Sequence, residues 1–128
     1  MSPMKKKLEF TATQLNDHTW IYTASGHLYG FNDGYKFQDD VRDRVAAGAR
    51  KVVVDLSAVD RIDSSGIGIL VTIMWSASNA GGGLILAALP ERIEHLLSMA
   101  MLLDHIDHAD TVEEAVAKLD AMDLEPST

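Results

Sequence analysis

Hydrophobic and polar residues follow two different periods along this chain, and each change of period marks a new element. Apolar or alternating runs bounded by turn residues predict four strands: Leu8–Thr13, Thr19–Ser25, Lys51–Leu56 and Leu84–Leu89. The first two are joined by Asn16-Asp17, which favours a hairpin turn. The last two show no alternation, which is typical of strands buried on both faces. We expect a fifth, short edge strand to begin at Ile106.

Apolar residues recur at helical spacing in four other segments. They predict helices at about Tyr35–Ala47, Ile67–Ala80, Glu91–Met99 and Thr111–Ala121. Turn-forming residues between these elements predict a loop at Gly26–Gly34 and a turn at Asp60–Gly66. Thr111 with Glu114 three residues on fits a capping box at the start of the last helix. Strands that alternate with helices imply an α/β fold, with a four- to five-stranded mixed sheet flanked by about four helices.

Composition and charge define the broad class of protein. With 128 residues, 47% of them hydrophobic, the chain has the length and composition of one globular domain. It carries 11 Lys and Arg against 19 Asp and Glu, and this net charge of −8 argues against direct binding to nucleic acid or to an anionic membrane. The absence of cysteine excludes disulfides and thiolate chemistry.

The two ends of the chain are predicted to lie outside the domain. Lys5–Lys7 makes the first residues basic, but polar residues interrupt the segment that follows, so we expect no signal peptide and no membrane insertion. We therefore expect a cytoplasmic protein with a flexible basic N-terminus at residues 1–7, one domain at 8–122 and a flexible tail at 123–128.

Two adjacent serines, Ser64 and Ser65, are the most informative polar residues. They follow a buried strand and open a helix, and functional sites of open α/β sheets gather where strands end and helices begin. A hydroxyl in that place is either a helix cap or an exposed acceptor of a phosphate. From the chemistry alone, the cap is the commoner case.

Features that match a known family are spread over nearly the whole chain. They are Gly26, Gly48 before the valine-rich strand, Asp55-Leu56 at its end, Asp63-Ser64-Ser65-Gly66-Ile67-Gly68, Asn79-Ala80-Gly81-Gly82, Pro90, Leu97 and the closing helix from Thr111 to Val116. In this order and spacing they resemble the STAS domain family, the fold of bacterial anti-sigma factor antagonists. The resemblance implies a single STAS-like domain that binds other proteins, is not an enzyme and needs no cofactor or metal.

The resemblance also implies a mechanism. In the family, the serine directly after the aspartate accepts a phosphate; that position falls on Ser64, with Ser65 as the second choice. The implied partners are an anti-sigma factor serine kinase with a histidine-kinase-like ATPase fold and a serine phosphatase, and a homodimer stays open. Unphosphorylated, the domain would bind the anti-sigma factor and so release a sigma factor. The surroundings of the phosphosite would comprise Asp60, Arg61, Asp63 and Gly66.

The helix behind the serines would offer the partner surface. Its core stripe is predicted at Ile67, Leu70, Val71, Met74 and Ala77. Its partner-binding residues are predicted to be Gly68, Ile69, Thr72 and Trp75. Trp75 has two interpretations, a hot spot for a partner or packing over the sheet edge. The chain departs from the family at His27, where an acidic residue often follows the glycine that ends the second strand.

Two other functions stay open. The domain could be a non-phosphorylated STAS subunit of a lipid transporter or signalling scaffold, in which the serine would only pack. A small enzyme ranks last, because no Gly-x-Ser-x-Gly elbow surrounds Ser64 and the sequence ties no histidine to it. His105 and His108 alone do not define a metal site.

Overall fold

The computed structural model describes residues 7–122, so the N-terminal residues 1–6 and the tail 123–128 lie outside the described part of the chain. The strands are β1 (Leu8–Gln14), β2 (Thr19–Leu28), β3 (Lys51–Ile62), β4 (Gly83–Ala87) and β5 (His108–Ala109). The helices are α1 (Asn32–Ala46), α2 (Ser64–Asn79), α3 (Glu91–Met99) and α4 (Val112–Ala121), with a 3-10 turn at Leu103–His105. The predicted α/β architecture is confirmed for this part of the chain.

The strands form one mixed sheet in chain order, from β1 to β5. β1 and β2 are an antiparallel hairpin, whereas β2, β3, β4 and β5 are parallel to one another. Each parallel connection passes through a helix, as crossovers require. All carboxyl ends of the parallel strands therefore lie together at one end of the sheet, which we call the carboxyl end; the opposite end is the amino end.

Both faces of the central strands are covered. Val52 and Val54 belong to a core shared with α1, α2 and α3, whereas Val53 belongs to a second core with α4. All three valines are fully buried. The prediction of a strand buried on both faces is confirmed, and it explains why this strand lacks the alternation seen in half-exposed strands.

The predicted loop at Gly26–Gly34 and turn at Asp60–Gly66 are wrong over most of their length. Here β2 and β3 continue as a paired ribbon in which Gly26 lies opposite Val59 and Leu28 opposite Ile62. Register shifts interrupt the pairing at Gly26, whose φ of +98° suits glycine. The exposed charges of Asp60 and Arg61 resemble a turn in the sequence, although they lie on the outside of a strand.

Several element ends also differ from the prediction. α1 and α2 each begin three residues earlier than predicted, at Asn32 and Ser64, because their polar first turns show no apolar period. β4 ends at Ala87, and β5 begins at His108 rather than at Ile106, whose side chain is buried beyond the 3-10 turn.

The predicted core stripe of α2 is wrong in part. The helix buries Gly66, Ile69, Leu70, Ile73 and Ala77. Leu70 and Ala77 were predicted, but Ile67, Val71 and Met74 are only half-buried. Nearly every side of this helix carries apolar residues, so the periodicity alone does not define its rotation about its axis.

Candidate functional site

The candidate site lies at the carboxyl end of the sheet, on the ribbon formed by β2 and β3. β4 reaches only as far as Ala87, which pairs with Asp55, so the ribbon continues past it without a neighbour on that side. One residue, Asp63, then connects the end of β3 to the start of α2. The first turn of α2 is therefore held at a fixed place on the ribbon.

Asp63 is the N-cap of α2. Its backbone is extended, and its carboxylate accepts a hydrogen bond from the backbone N–H of Gly66 at 2.7 Å. The other carboxylate oxygen receives a longer contact, 3.5 Å, from the N–H of Gly30 in the connection between β2 and α1. The carboxylate thus connects the helix start to the neighbouring connection, and capping belongs to Asp63 rather than to either serine.

Ser64 and Ser65 occupy the first two positions of α2, and both are exposed. They differ in their surroundings. A methyl group placed on Gly30 would overlap Ser65 Cβ and lie 2.7 Å from Ser65 Oγ, so Ser65 lies against this glycine. Ser64 makes no side-chain hydrogen bond to any residue between 7 and 122. Ser65 is thus packed against a neighbouring segment, whereas the Ser64 hydroxyl is exposed without a hydrogen bond among the described residues.

Gly66 permits the close approach of α2 to the ribbon. A methyl group there would overlap the carbonyl oxygen of Leu28 and lie 2.7 Å from Ile62 Cγ1. Its predicted place beside the phosphosite is thus a packing role: any larger residue would push the serines away from the ribbon.

An aromatic rim, which we define as His27, Tyr29 and Phe31, runs beside the serines. The ring centroids of His27 and Tyr29 are 5.0 Å apart, and those of Tyr29 and Phe31 are 6.1 Å apart. Phe31 is 62% exposed. The rim presents apolar surface at the carboxyl end, where an approaching protein could bury it.

A cleft of about 380 Å³ adjoins the rim. Its lining comprises Tyr29, Phe31, Arg61, Ile62, Asp63, Arg92 and Leu96. We call this cavity the arginine cleft. Arg61 comes from β3 and Arg92 from the first turn of α3, and both also line an adjoining depression that holds His27 and Asp60. The structure thus brings Asp60, Arg61 and Asp63 to one place, and it adds Arg92.

The outer face of α2 carries the other predicted contacts. Gly68 is exposed, Thr72 is half-buried and Trp75 is 69% exposed. Trp75 therefore does not pack over the sheet edge, and with Thr72 it lines a groove of about 320 Å³ beside Arg42 of α1. The placement of Ile69 on this surface is wrong, because its side chain is 1% exposed and lies in the core between α2 and the sheet.

Sequence reasoning missed the rim and Arg92. Alternate aromatic residues at positions 27, 29 and 31 were a signal for an extended segment rather than a loop. Arg92 gave no such signal, because its contact with the site depends on how α3 packs back on the sheet.

Comparison with known proteins places the chain in a family. Residues 10–115 match the STAS domain, so the chain belongs to the STAS domain family. A protein of Thermotoga neapolitana named as a candidate anti-sigma factor antagonist is 36% identical over 72 residues, which cover 56% of this chain and 64% of that protein. The chain therefore matches less than two thirds of that relative's length.

Solved structures show the same architecture. A crystal structure of a candidate anti-sigma factor antagonist from Thermotoga maritima superposes with a TM-score of 0.75 at 28% identity, over 87% of this chain and 94% of that one. The anti-sigma factor antagonist SpoIIAA in its unphosphorylated form also gives a TM-score of 0.75, at 18% identity over 89% of this chain and 98% of that one. At that identity, the likeness to SpoIIAA concerns the fold alone.

Residues 7–122 contain neither a candidate membrane-spanning helix nor a candidate metal site. None of the helices in this part is long and apolar enough to cross a bilayer. The same residues contain no group of three or more His, Asp or Glu side chains that could hold a metal ion.

Proposed function

We propose that this STAS domain acts as an anti-sigma factor antagonist whose binding to an anti-sigma factor is switched by phosphorylation of Ser64. Membership of the STAS family and the similarity to a candidate anti-sigma factor antagonist support the first part. One observation carries the second: Ser64 is an exposed hydroxyl on the first residue of α2, while Asp63 already caps the helix. A serine with no structural task in the fold is free to be modified.

The switch requires one phosphoryl transfer in each direction. The partner kinase transfers the γ-phosphoryl group of ATP to Ser64 Oγ, so that the new O–P bond replaces the bond to ADP and the hydroxyl proton is released. A phosphatase returns the hydroxyl by hydrolysis with water. The phosphate adds about 1.5 to 2 negative charges at neutral pH. It would stand next to Asp63 on a chain of net charge −8, which disfavours contact with a surface that fits a neutral hydroxyl.

The helix N-terminus does not cancel this charge. An anion at such a position gains at most about 1 to 2 kcal/mol. Here the Asp63 carboxylate already accepts from the N–H of Gly66 and holds the negative charge that the helix favours. The unmodified form is therefore the binding form in this proposal.

The partner surface would combine the region of Ser64 with the outer face of α2. Trp75 is its most prominent side chain, because a large and exposed aromatic ring can be desolvated in a contact. Gly68 leaves open space around itself and Thr72 lines the groove beside Trp75. In this proposal the domain works in the cytoplasm as a binding module and catalyses no reaction of its own.

The test is affinity capture from the source cell with four baits: wild type, Ser64→Ala, Ser64→Asp and Ser98→Asp. Ser98 is an exposed serine on α3, so its substitution adds the same charge elsewhere. We expect wild type, Ser64→Ala and Ser98→Asp to retain an ATPase of histidine-kinase type and Ser64→Asp to lose it. The captured kinase, supplied with ATP, should phosphorylate wild type at Ser64, as located by mass spectrometry.

Equal capture of a transporter ATPase or a scaffold protein by all four baits would contradict the proposal. It would indicate instead a static STAS subunit in which Ser64 is not modified. Phosphate found on Ser65 rather than Ser64 would also refute the assignment of the site.

A further inference from the structure

We propose that Arg61 and Arg92 form a phosphate-binding pair that holds the phosphoryl group once it is on Ser64. The inference rests on the proposed phosphorylation of this serine and concerns its regulation. Both arginines line the same cleft as Asp63, which immediately precedes Ser64 in the chain. They line the adjoining depression as well, so the two side chains border the same two cavities.

Both arginine side chains are available to a ligand. Between residues 7 and 122, neither Arg61 nor Arg92 forms an ion pair or donates a side-chain hydrogen bond. Both side chains are exposed. Although the chain has 19 acidic residues, no carboxylate among the described residues forms an ion pair with either arginine.

The carboxylate that lines the cleft with the arginines is already engaged. Asp63 lines the cleft with the arginines, but it bonds the N–H of Gly66 at 2.7 Å and caps α2. Its position is fixed, so a phosphate on Ser64 is repelled from that side. Arg61 and Arg92 are the cations that share the cleft, and guanidinium groups bind phosphate oxygens in bidentate geometry.

A phosphate held by the two arginines would also affect the aromatic rim. Tyr29 and Phe31 line the same cleft as the arginines. A phosphate drawn toward the pair would stand at the exposed aromatic rim and place charge on its apolar surface. Phosphorylation of α2 would thus also add charge beside the neighbouring rim. A partner protein could then no longer bury the rim.

The experiment measures the second pKa of the phosphate by ³¹P NMR on full-length protein with phosphoserine incorporated at position 64 during translation. Cations near the phosphate lower this pKa from its ordinary value of about 6. We expect Arg61→Gln and Arg92→Gln each to raise it by about 0.5, and the double variant to raise it further. Arg42→Gln is the matched control, since Arg42 is exposed but lines the groove near Trp75 instead.

His27, Asp60 and Asp63 also border this space, and all three stay unchanged in every variant, so differences report the arginines. An identical pKa in wild type, both single variants and the Arg42→Gln control would overturn the inference. Because translation installs the phosphate, this result does not depend on whether a kinase exists. A negative result for the phosphate pKa would not affect the capture experiment on Ser64. A negative capture experiment would not invalidate the pKa measurement.

Discussion

The two ends of the sheet use their positive charges in opposite ways. Toward the amino end, Lys51 forms an ion pair with Asp120 of α4 at 2.7 Å, and Arg50 donates to the carbonyl oxygen of Ala80 at 3.0 Å. At the carboxyl end, Arg61 and Arg92 have no such partner within residues 7–122. At the amino end, cationic side chains connect one element to another. At the carboxyl end, the two arginines are exposed and form no such connection within residues 7–122.

The backbone packing, by contrast, is similar at the two ends of the sheet. At each end a glycine allows a helix end to touch the carbonyl oxygen of a neighbouring segment: Gly66 meets Leu28, and Gly82 meets Arg50. The carboxyl end is therefore as tightly built as the amino end, although Arg61 and Arg92 form no ion pair within residues 7–122. A tightly packed backbone that presents Arg61 and Arg92 suits a binding site, because little conformational freedom is lost on binding.

The largest expected effect comes from closing the space at Gly66. Gly66→Ala should destabilise the protein by about 3 kcal/mol, because the methyl group would overlap the Leu28 carbonyl oxygen and backbone must shift. Urea unfolding measures the loss. Gly68→Ala is the matched control two residues on: nothing lies within 4 Å of the added methyl group, so it should stabilise α2 by up to about 1 kcal/mol. Equal effects in both variants would show that α2 does not seat on the ribbon as described.

The second largest effect concerns paired charges that lie away from the carboxyl end of the sheet. The Tyr22 hydroxyl is buried between Asp40 and Arg44, and it accepts from Arg44 Nε at 2.8 Å and donates to Asp40. Arg44 also lies over the ring of Trp20 at 3.9 Å. Tyr22→Phe should cost about 2 kcal/mol, because the hydroxyl bonds two charged groups and its loss leaves both underpaired.

The same network makes a prediction for alkaline pH. Burial, together with the hydrogen bond to Asp40, raises the pKa of Tyr22 above its ordinary value of about 10. The unfolded chain therefore loses this proton at lower pH than the folded protein, and the stabilisation falls as pH rises above about 10. The difference in unfolding free energy between wild type and Tyr22→Phe should shrink between about pH 8 and about pH 10.5. A constant difference would contradict the raised pKa.

The fold could be predicted where one physical signal dominated. The unbroken Val52–Val54 run predicts a doubly buried strand, and both cores confirm it. Thr111 caps α4 as its spacing indicates, with its hydroxyl accepting from the Glu114 N–H at 3.0 Å. The prediction of a turn at Asp60 and Arg61 was wrong, because these charged residues lie on the exposed face of a strand. A charged outer face of a strand and a turn have the same local composition.

The candidate site, too, could be predicted from the sequence only in part. The residues of one local motif, from Asp63 to Gly66, could be placed together from the sequence because they are consecutive at one strand–helix junction. Arg92 could not, because it joins the site through the packing of α3. The rim could not either, because His27 lies on the extension of β2 and Tyr29 and Phe31 lie in the connection that follows it. The misplacement of Ile69 has a related cause: an apolar helix gives no sign of which side meets the sheet.

A smaller effect separates two roles of Asp63. Asp63→Ala removes the cap of α2 and should cost about 1 kcal/mol of stability. Asp63→Asn keeps an acceptor for the Gly66 N–H, so it should cost only a few tenths of a kcal/mol. In the phosphorylated protein, however, Asn removes the repelling charge and should lower the second pKa of the phosphate. A cost for Asn as large as that for Ala would show that the charge itself holds the helix start.

The smallest effects decide whether the contrast between the two ends is real. Lys51→Gln breaks the ion pair with Asp120, which is half-exposed, so we expect a loss of less than about 1 kcal/mol that salt reduces further. Arg61→Gln should change stability by no more than about 0.5 kcal/mol, because the guanidinium has no partner within the described residues to lose. Both are measured by thermal unfolding of the unphosphorylated protein at low and high salt. A larger loss for Arg61→Gln than for Lys51→Gln would mean that the carboxyl end uses its arginines for stability, and the contrast drawn from the side-chain contacts would fail.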